Sequence, residues 1–264
     1  MADLDLTFSH LAGTVGQGPL LVLGPSLGTS VGALWAQAAS HLGDRFEVVG
    51  WDLPGHGRSK AATEPFAVSD LAGAVRKTTG QLAGAEGRRV AYAGVSMGGA
   101  VALQLALEPG PFSQVACIAG AAKIGESAMW RERGRLVRTA GTPIMVAGSA
   151  ERWFAPGYIE RNPETANQLL LSLMDADRDS YALACDALAE FDVRDRLGEA
   201  RVPVLAMAGE LDVVVPTSSV REVADAVPDG EFSVATGCGH LPAAEDPAGT
   251  AAALLSHLRS AHDH

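Results

Sequence analysis

The sequence predicts an α/β fold, a mostly parallel, doubly wound sheet with a helical cap inserted between two of its strands. Three observations predict it. Short continuous apolar runs recur with helical spacing between them, which is how strands buried on both faces of a parallel sheet read. Several runs end in glycine-rich or acidic turns, so polar groups fall at the carboxyl ends of the strands, where such sheets bind ligands. Between residues 123 and 201 the alternation gives way to helical patterns.

The runs at 20–23 (LLVL), 46–51 (FEVVGW), 90–94 (VAYAG) and 115–119 (VACIA) are the first four strands detected past the N-terminal region. The first ends at Gly24-Pro25 and the second at Asp52 and a Pro-Gly turn. Runs at 202–208 and 231–235 follow later. Helical spacing fills 33–42, 69–82, 99–107 and 219–227. The cap follows the fourth strand. Inside it, Asn162-Pro163 reads as a helix start. Ala166, Leu169, Leu170 and Leu173 line one face behind it, and Tyr181, Cys185, Leu188 and Phe191 form a second stripe. Residues 144–147 are a weak strand candidate. The expected organisation is a core of residues 1–122 and 202–264 and a cap of residues 123–201, together one compact domain, with no internal repeat or low-complexity linker.

Composition narrows the partners. With 47% hydrophobic and 19% charged residues in 264, the chain can bury a large core. A formal charge of −11 argues against nucleic acid and anionic membranes as partners, and it means that an anionic substrate needs a local cation. Cys117, Cys185 and Cys238 are widely spaced and odd in number, which fits free thiols in a cytoplasmic protein. The opening MADLDLTFSH is acidic where a secretory leader is basic, and no apolar run is long enough to cross a membrane. Self-association is left open.

The chemistry centres on Gly94-Val95-Ser96-Met97-Gly98, placed between a strand and a helix. A serine hydroxyl needs a base, and the base needs a carboxylate to hold its tautomer. The turns after the two late strands supply both: Asp212 in Gly209-Glu210-Leu211-Asp212, and His240 in Thr236-Gly237-Cys238-Gly239-His240. Glu210 is the alternative acid. The order Ser, Asp, His is the one this strand-turn-helix architecture uses. An oxyanion needs two donors. The Met97 N–H, next after the serine, is one, and the Leu27 N–H in the turn after the first strand is the other, with Ser26 as a helper. His56 and Asp52 read as loop-fixing residues.

These motifs make the chain resemble the α/β-hydrolases, and among them the 3-oxoadipate enol-lactonases. The resemblance spans residues 18 to 258. It rests on Pro25-Ser26-Leu27-Gly28-Thr29, Asp52-Leu53-Pro54-Gly55-His56-Gly57-Arg58-Ser59, the elbow with Gly99, Ala122-Lys123-Ile124-Gly125, Glu151-Arg152-Trp153-Phe154, Gly209-Glu210-Leu211-Asp212 and Gly239-His240. The chain departs from the pattern at Gly50-Trp51, Leu53 and Ala119-Gly120. The resemblance implies an α/β-hydrolase fold, a serine esterase needing no metal or organic cofactor, and opening of an enol-lactone through an acyl-enzyme in aromatic catabolism. The implied substrate carries a carboxylate. Among the cap arginines, Arg131, Arg135 and Arg138 share a solvated face, while Arg133 lies with Trp130, Leu136 and Val137 on the apolar one. Arg133 is therefore the candidate carboxylate clamp, with a structural ion pair to a cap acid as its other reading, and Trp130 and Trp153 are candidate pocket walls. Other carboxylesterases, C–C-bond hydrolases and perhydrolases share these motifs, and a non-catalytic ligand-binding scaffold is the alternative from outside enzymology.

Overall fold

The computed structural model describes residues 4–84 and 88–260, with the side chains of residues 259 and 260 excepted. Seven strands form one sheet: β1 (Phe8–Ala12), β2 (Leu20–Gly24), β3 (Glu47–Trp51), β4 (Val90–Val95), β5 (Phe112–Ile118), β6 (Val204–Gly209) and β7 (Gly230–Ala235), in the order β1-β3-β2-β4-β5-β6-β7. β1 runs antiparallel to β3, and every other neighbouring pair is parallel. Every residue of β2, β3, β4 and β6 is buried, which explains why their runs are apolar apart from Glu47 at the start of β3.

Core helices pack in two groups. α1 (Val31–Ser40) meets the closing helices, whereas α2 (Val68–Ala83) lies against α3 (Met97–Leu107). The segment between β5 and β6 holds α4 (Ser127–Ala140), α5 (Val146–Trp153), α6 (Tyr158–Arg161), α7 (Pro163–Asp175) and α8 (Arg178–Glu190), with short 3-10 turns at Thr142–Met145 and Arg194–Glu199. α9 (Thr217–Ala226) joins β6 to β7, and α10 (Pro242–Glu245) and α11 (Pro247–Ser260) end the chain.

Three sequence expectations change. β1 was not anticipated; it is a half-exposed edge strand without an apolar run. Residues 144–147 form no strand: they close a 3-10 turn begun behind Gly141 and open α5, which buries Ser149 and Trp153 one helical turn apart. Leu136 is exposed, so the buried face of α4 is carried by Trp130, Gly134 and Val137. Pro163 does begin α7, yet the Asn162 side chain makes no capping bond.

The strand order reverses around β2, which has β3 on one side and β4 on the other. Crevices form at such switch points because successive crossovers leave in opposite directions. Gly24 pairs with Gly94 at the ends of β2 and β4, so the turns carrying Leu27 and Ser96 start side by side.

Candidate active site

Ser96 leaves β4 with φ 56°, a left-handed conformation that a non-glycine residue adopts only where its surroundings enforce it. The enforcement is visible. The Ser96 N–H donates to Ile118 O at 2.8 Å, and Gly98 N–H donates to Pro25 O at 2.9 Å. A Cβ at Gly94 would fall 2.2 Å from Gly98 O, and one at Gly98 would fall 2.8 Å from Gly24 C, so both elbow glycines are required by contact.

Two buried donors lie in the adjoining turns after β2 and β4. Leu27 is 4% exposed and Met97 is fully buried, and among the described residues neither backbone N–H has an acceptor. The loop bearing Leu27 is closed by its own hydrogen bonds. Ser26 N–H donates to Thr29 Oγ1 at 3.2 Å, and that hydroxyl donates back to Ser26 O at 3.0 Å. Buried backbone donors are nearly always paired, so two unpaired ones in adjoining turns are an exception.

β6 and β7 end together, Gly209 opposite Ala235, and their turns interlock through Leu211 N–H to Cys238 O at 2.8 Å. His240 Nδ1–H donates to Asp212 Oδ2 at 2.9 Å, and both side chains are withdrawn from solvent. Asp212 Oδ1 is occupied separately, accepting Val214 N–H at 2.7 Å and Val215 N–H at 3.1 Å. Glu210, the alternative acid, instead accepts Gly237 N–H at 2.7 Å on the surface. Among the described residues Ser96 Oγ makes no hydrogen bond, so the structure shows the Asp212–His240 contact and no serine–histidine one. Such bonds commonly tighten only when substrate arrives. Ser96 is 6% exposed and His240 2%, which shields the site from bulk water.

The helical insertion covers the elbow side. At Gly28 (φ 88°) a Cβ would stand 2.7 Å from Leu173 and 3.3 Å from the Trp153 ring, so both side chains close over the Leu27 loop. Trp130, the other predicted wall, is buried with Nε1–H donating to Ile124 O. Arg133 meets no acid. Its guanidinium binds the Tyr181 hydroxyl and lies beside the Trp130 and Tyr181 rings, while Arg131, Arg135 and Arg138 pair with Glu190, Glu132 and Asp186.

Asp52 closes its turn as expected: Oδ1 accepts Val31 N–H at 2.7 Å and Oδ2 accepts Arg58 N–H at 2.9 Å. Burial raises its pKa, and these two amides oppose the rise. His56 is buried, bonds Pro54 O through Nδ1 at 2.9 Å, and stacks on Tyr181; burial pushes its pKa down to about 4. The sequence did not single out Glu245. Its carboxylate accepts the N–H groups of Ala155 at 2.7 Å, Gly239 at 2.9 Å and Leu241 at 3.2 Å, binding the insertion to the histidine turn. Its place just inside a proline-led helix, five residues past His240, was the available signal.

A strained serine at a helix N-terminus, an acid-oriented histidine and two free buried amides, all in turns at the carboxyl ends of one sheet's strands, define a hydrolase of the α/β class, and the chain belongs to the alpha/beta hydrolase family, whose model matches residues 20–253. Among curated relatives it is 35% identical over 224 residues to 3-oxoadipate enol-lactonase 2 of Acinetobacter baylyi, covering 84% of this chain and 77% of that one. It is 30% identical to the pimeloyl-[acyl-carrier protein] methyl ester esterase of Vibrio cholerae, over 86% of this chain and 89% of that one. The enol-lactonase from Burkholderia xenovorans LB400 superposes with a TM-score of 0.89 at 27% identity, covering 97% of this chain and 98% of its own. Among the described residues no helix is long and apolar enough to cross a membrane.

Proposed function

We propose that the protein is a cytoplasmic serine hydrolase that opens 3-oxoadipate enol-lactone to 3-oxoadipate through an acyl-enzyme. The observation that carries the reaction type is the unpaired N–H groups of Met97, next after Ser96, and of Leu27 in the adjoining turn after β2. In this reading His240 takes the Ser96 proton as Oγ attacks the lactone carbonyl, and Asp212 holds His240 with its proton on Nδ1. The oxyanion lies between the two amides, where removing one donor typically costs about two to three orders of magnitude in rate. The ring oxygen leaves with its bonding pair as an enolate, which takes up the proton from His240 and ketonises. Water activated by His240 then releases the acid and frees Ser96.

Residues 123–201 act as the cap, with Trp130 and Trp153 as walls and Arg133 placed for the substrate carboxylate. No metal or organic cofactor enters these steps. The substrate follows from likeness to the enol-lactonases, supported by identity over most of both chains. The test is steady-state hydrolysis of the enol-lactone against a neutral aryl ester, with Ser96→Ala beside the wild type. We expect kcat/KM on the lactone to exceed that on the aryl ester, and Ser96→Ala to lose at least about three orders of magnitude while folded. A folded Ser96→Ala protein with most of its lactonase activity would remove the mechanism, and preference for the aryl ester would remove the substrate.

A further inference from the structure

Between α4, α5 and α8, donors converge without an acceptor. Tyr181 is fully buried, and both contacts to its oxygen come from Arg133, through Nε at 2.9 Å and through a terminal nitrogen. Among the described residues the Tyr181 proton has no acceptor of its own. Arg152 lies within electrostatic reach of Arg133 and Tyr181 and makes no hydrogen bond or ion pair with any described residue. Loss of hydration, then the charge of Arg133, lowers the Arg152 pKa; Tyr181 and the adjoining Glu151 only partly oppose them.

Two neighbouring guanidiniums with no carboxylate between them repel each other, and only Arg133 is compensated, by the Tyr181 hydroxyl and the Trp130 and Tyr181 rings. The rest of the cap behaves differently, since Arg131, Arg135 and Arg138 on the same α4 each meet an acid. In a chain of net charge −11, a pair of cations kept from acids is a departure that a ligand anion would resolve.

We infer that Arg133, Arg152 and the Tyr181 hydroxyl form one carboxylate subsite, in which the Arg133 fork, the Arg152 guanidinium and the Tyr181 O–H all donate to a single substrate carboxylate. A carboxylate has about four acceptor positions, enough for these donors. The subsite rests on the same strand ends as Ser96. The Tyr181 ring stacks on His56 in the turn after β3, 5.9 Å between centroids, and Arg152 directly precedes Trp153, which covers the Leu27 loop. The inference builds on the proposed function and adds Arg152 and Tyr181 as residues that set specificity.

The experiment compares kcat/KM on 4-nitrophenyl hydrogen glutarate with that on neutral 4-nitrophenyl pentanoate, in the wild type, Arg133→Gln, Arg133→Lys, Arg152→Gln and Tyr181→Phe. Charge-assisted hydrogen bonds lead us to expect the anionic-to-neutral ratio to fall by about ten- to a hundredfold in each glutamine variant, mainly through KM. Tyr181→Phe falls less, and Arg133→Lys recovers part of the loss. Arg152 is exposed, so its variant folds even where an Arg133 variant does not. A wild type without preference for the anionic ester, or an Arg152→Gln ratio within twofold of wild type, overturns the subsite. A fallen ratio in an enzyme that leaves the enol-lactone intact upholds the subsite and refutes the lactone reading. An unchanged ratio in an enzyme that opens the lactone does the reverse.

Discussion

The backbone carbonyl of Trp153 accepts the N–H of His240 at 2.9 Å. The helical insertion therefore meets the candidate base through main chain. Gly239 shows how close the approach is, since a Cβ there would meet Ala155 N at 2.8 Å and Trp153 O at 3.0 Å. Gly239→Ala should force the two segments apart, lowering stability by about 1–3 kcal/mol and kcat by at least about tenfold. Urea unfolding and turnover of an activated ester measure both, and a fully active variant of normal stability would sink the idea.

Asp212→Asn should cost about four orders of magnitude in kcat with the fold intact. The reason is local. Oδ1 receives the Val214 and Val215 N–H groups, so an asparagine keeps its oxygen there and turns its NH2 toward His240 Nδ1. The imidazole must then accept at Nδ1 and carry its proton on Nε2, where it can no longer act as base. Glu210→Gln, on the exposed side of the same turn, should leave kcat within about twofold.

Asp52→Ala should destabilise the protein by about 2–3 kcal/mol, because it strands the buried Val31 amide and the Arg58 amide together. Asp52→Asn can satisfy only one of them and should fall in between. Chemical denaturation decides the order.

His56 sets an acid limit on stability. Its folded pKa, about 4, lies below the ordinary 6.5, so the unfolded chain binds the proton first. The stabilisation is full above the unfolded value and is lost as pH falls toward the folded one, on the order of 3 kcal/mol in all. His56→Asn, which can still donate to Pro54 O, should show a shallower decline in unfolding free energy from about pH 7 to about pH 5. Parallel curves would show that another group is responsible.

What the sequence disclosed follows how each residue is held. Ser96, Asp212 and His240 sit in short turns whose glycines are required by contact, so their spacing along the chain carries the geometry. The strands β2 to β6 read clearly because both faces are buried. β1 escaped because an edge strand with half-exposed sides has no apolar run to show. The 144–147 stretch is locally strand-like, and only the i, i+4 placement of Ser149 and Trp153 reveals the helix. Tyr181 stands 48 residues from Arg133, and no local pattern links them. The apolar face of α4 was legible, but that Arg133 meets a tyrosine and Arg152 where an acid was the alternative was not.

Glu245 has a bearing on how such enzymes diversify. It ties Ala155 to the amides on both sides of His240, and the Tyr158 hydroxyl donates to Ala244 O at 2.8 Å beside it. The helical segment is inserted between β5 and β6, yet it is also anchored to the turn after β7. A chimaera that exchanges whole caps at the strand ends would bring in a foreign partner for that turn and misplace the histidine. The transplantable unit is instead two pieces, with residues 153–158 staying with their own host.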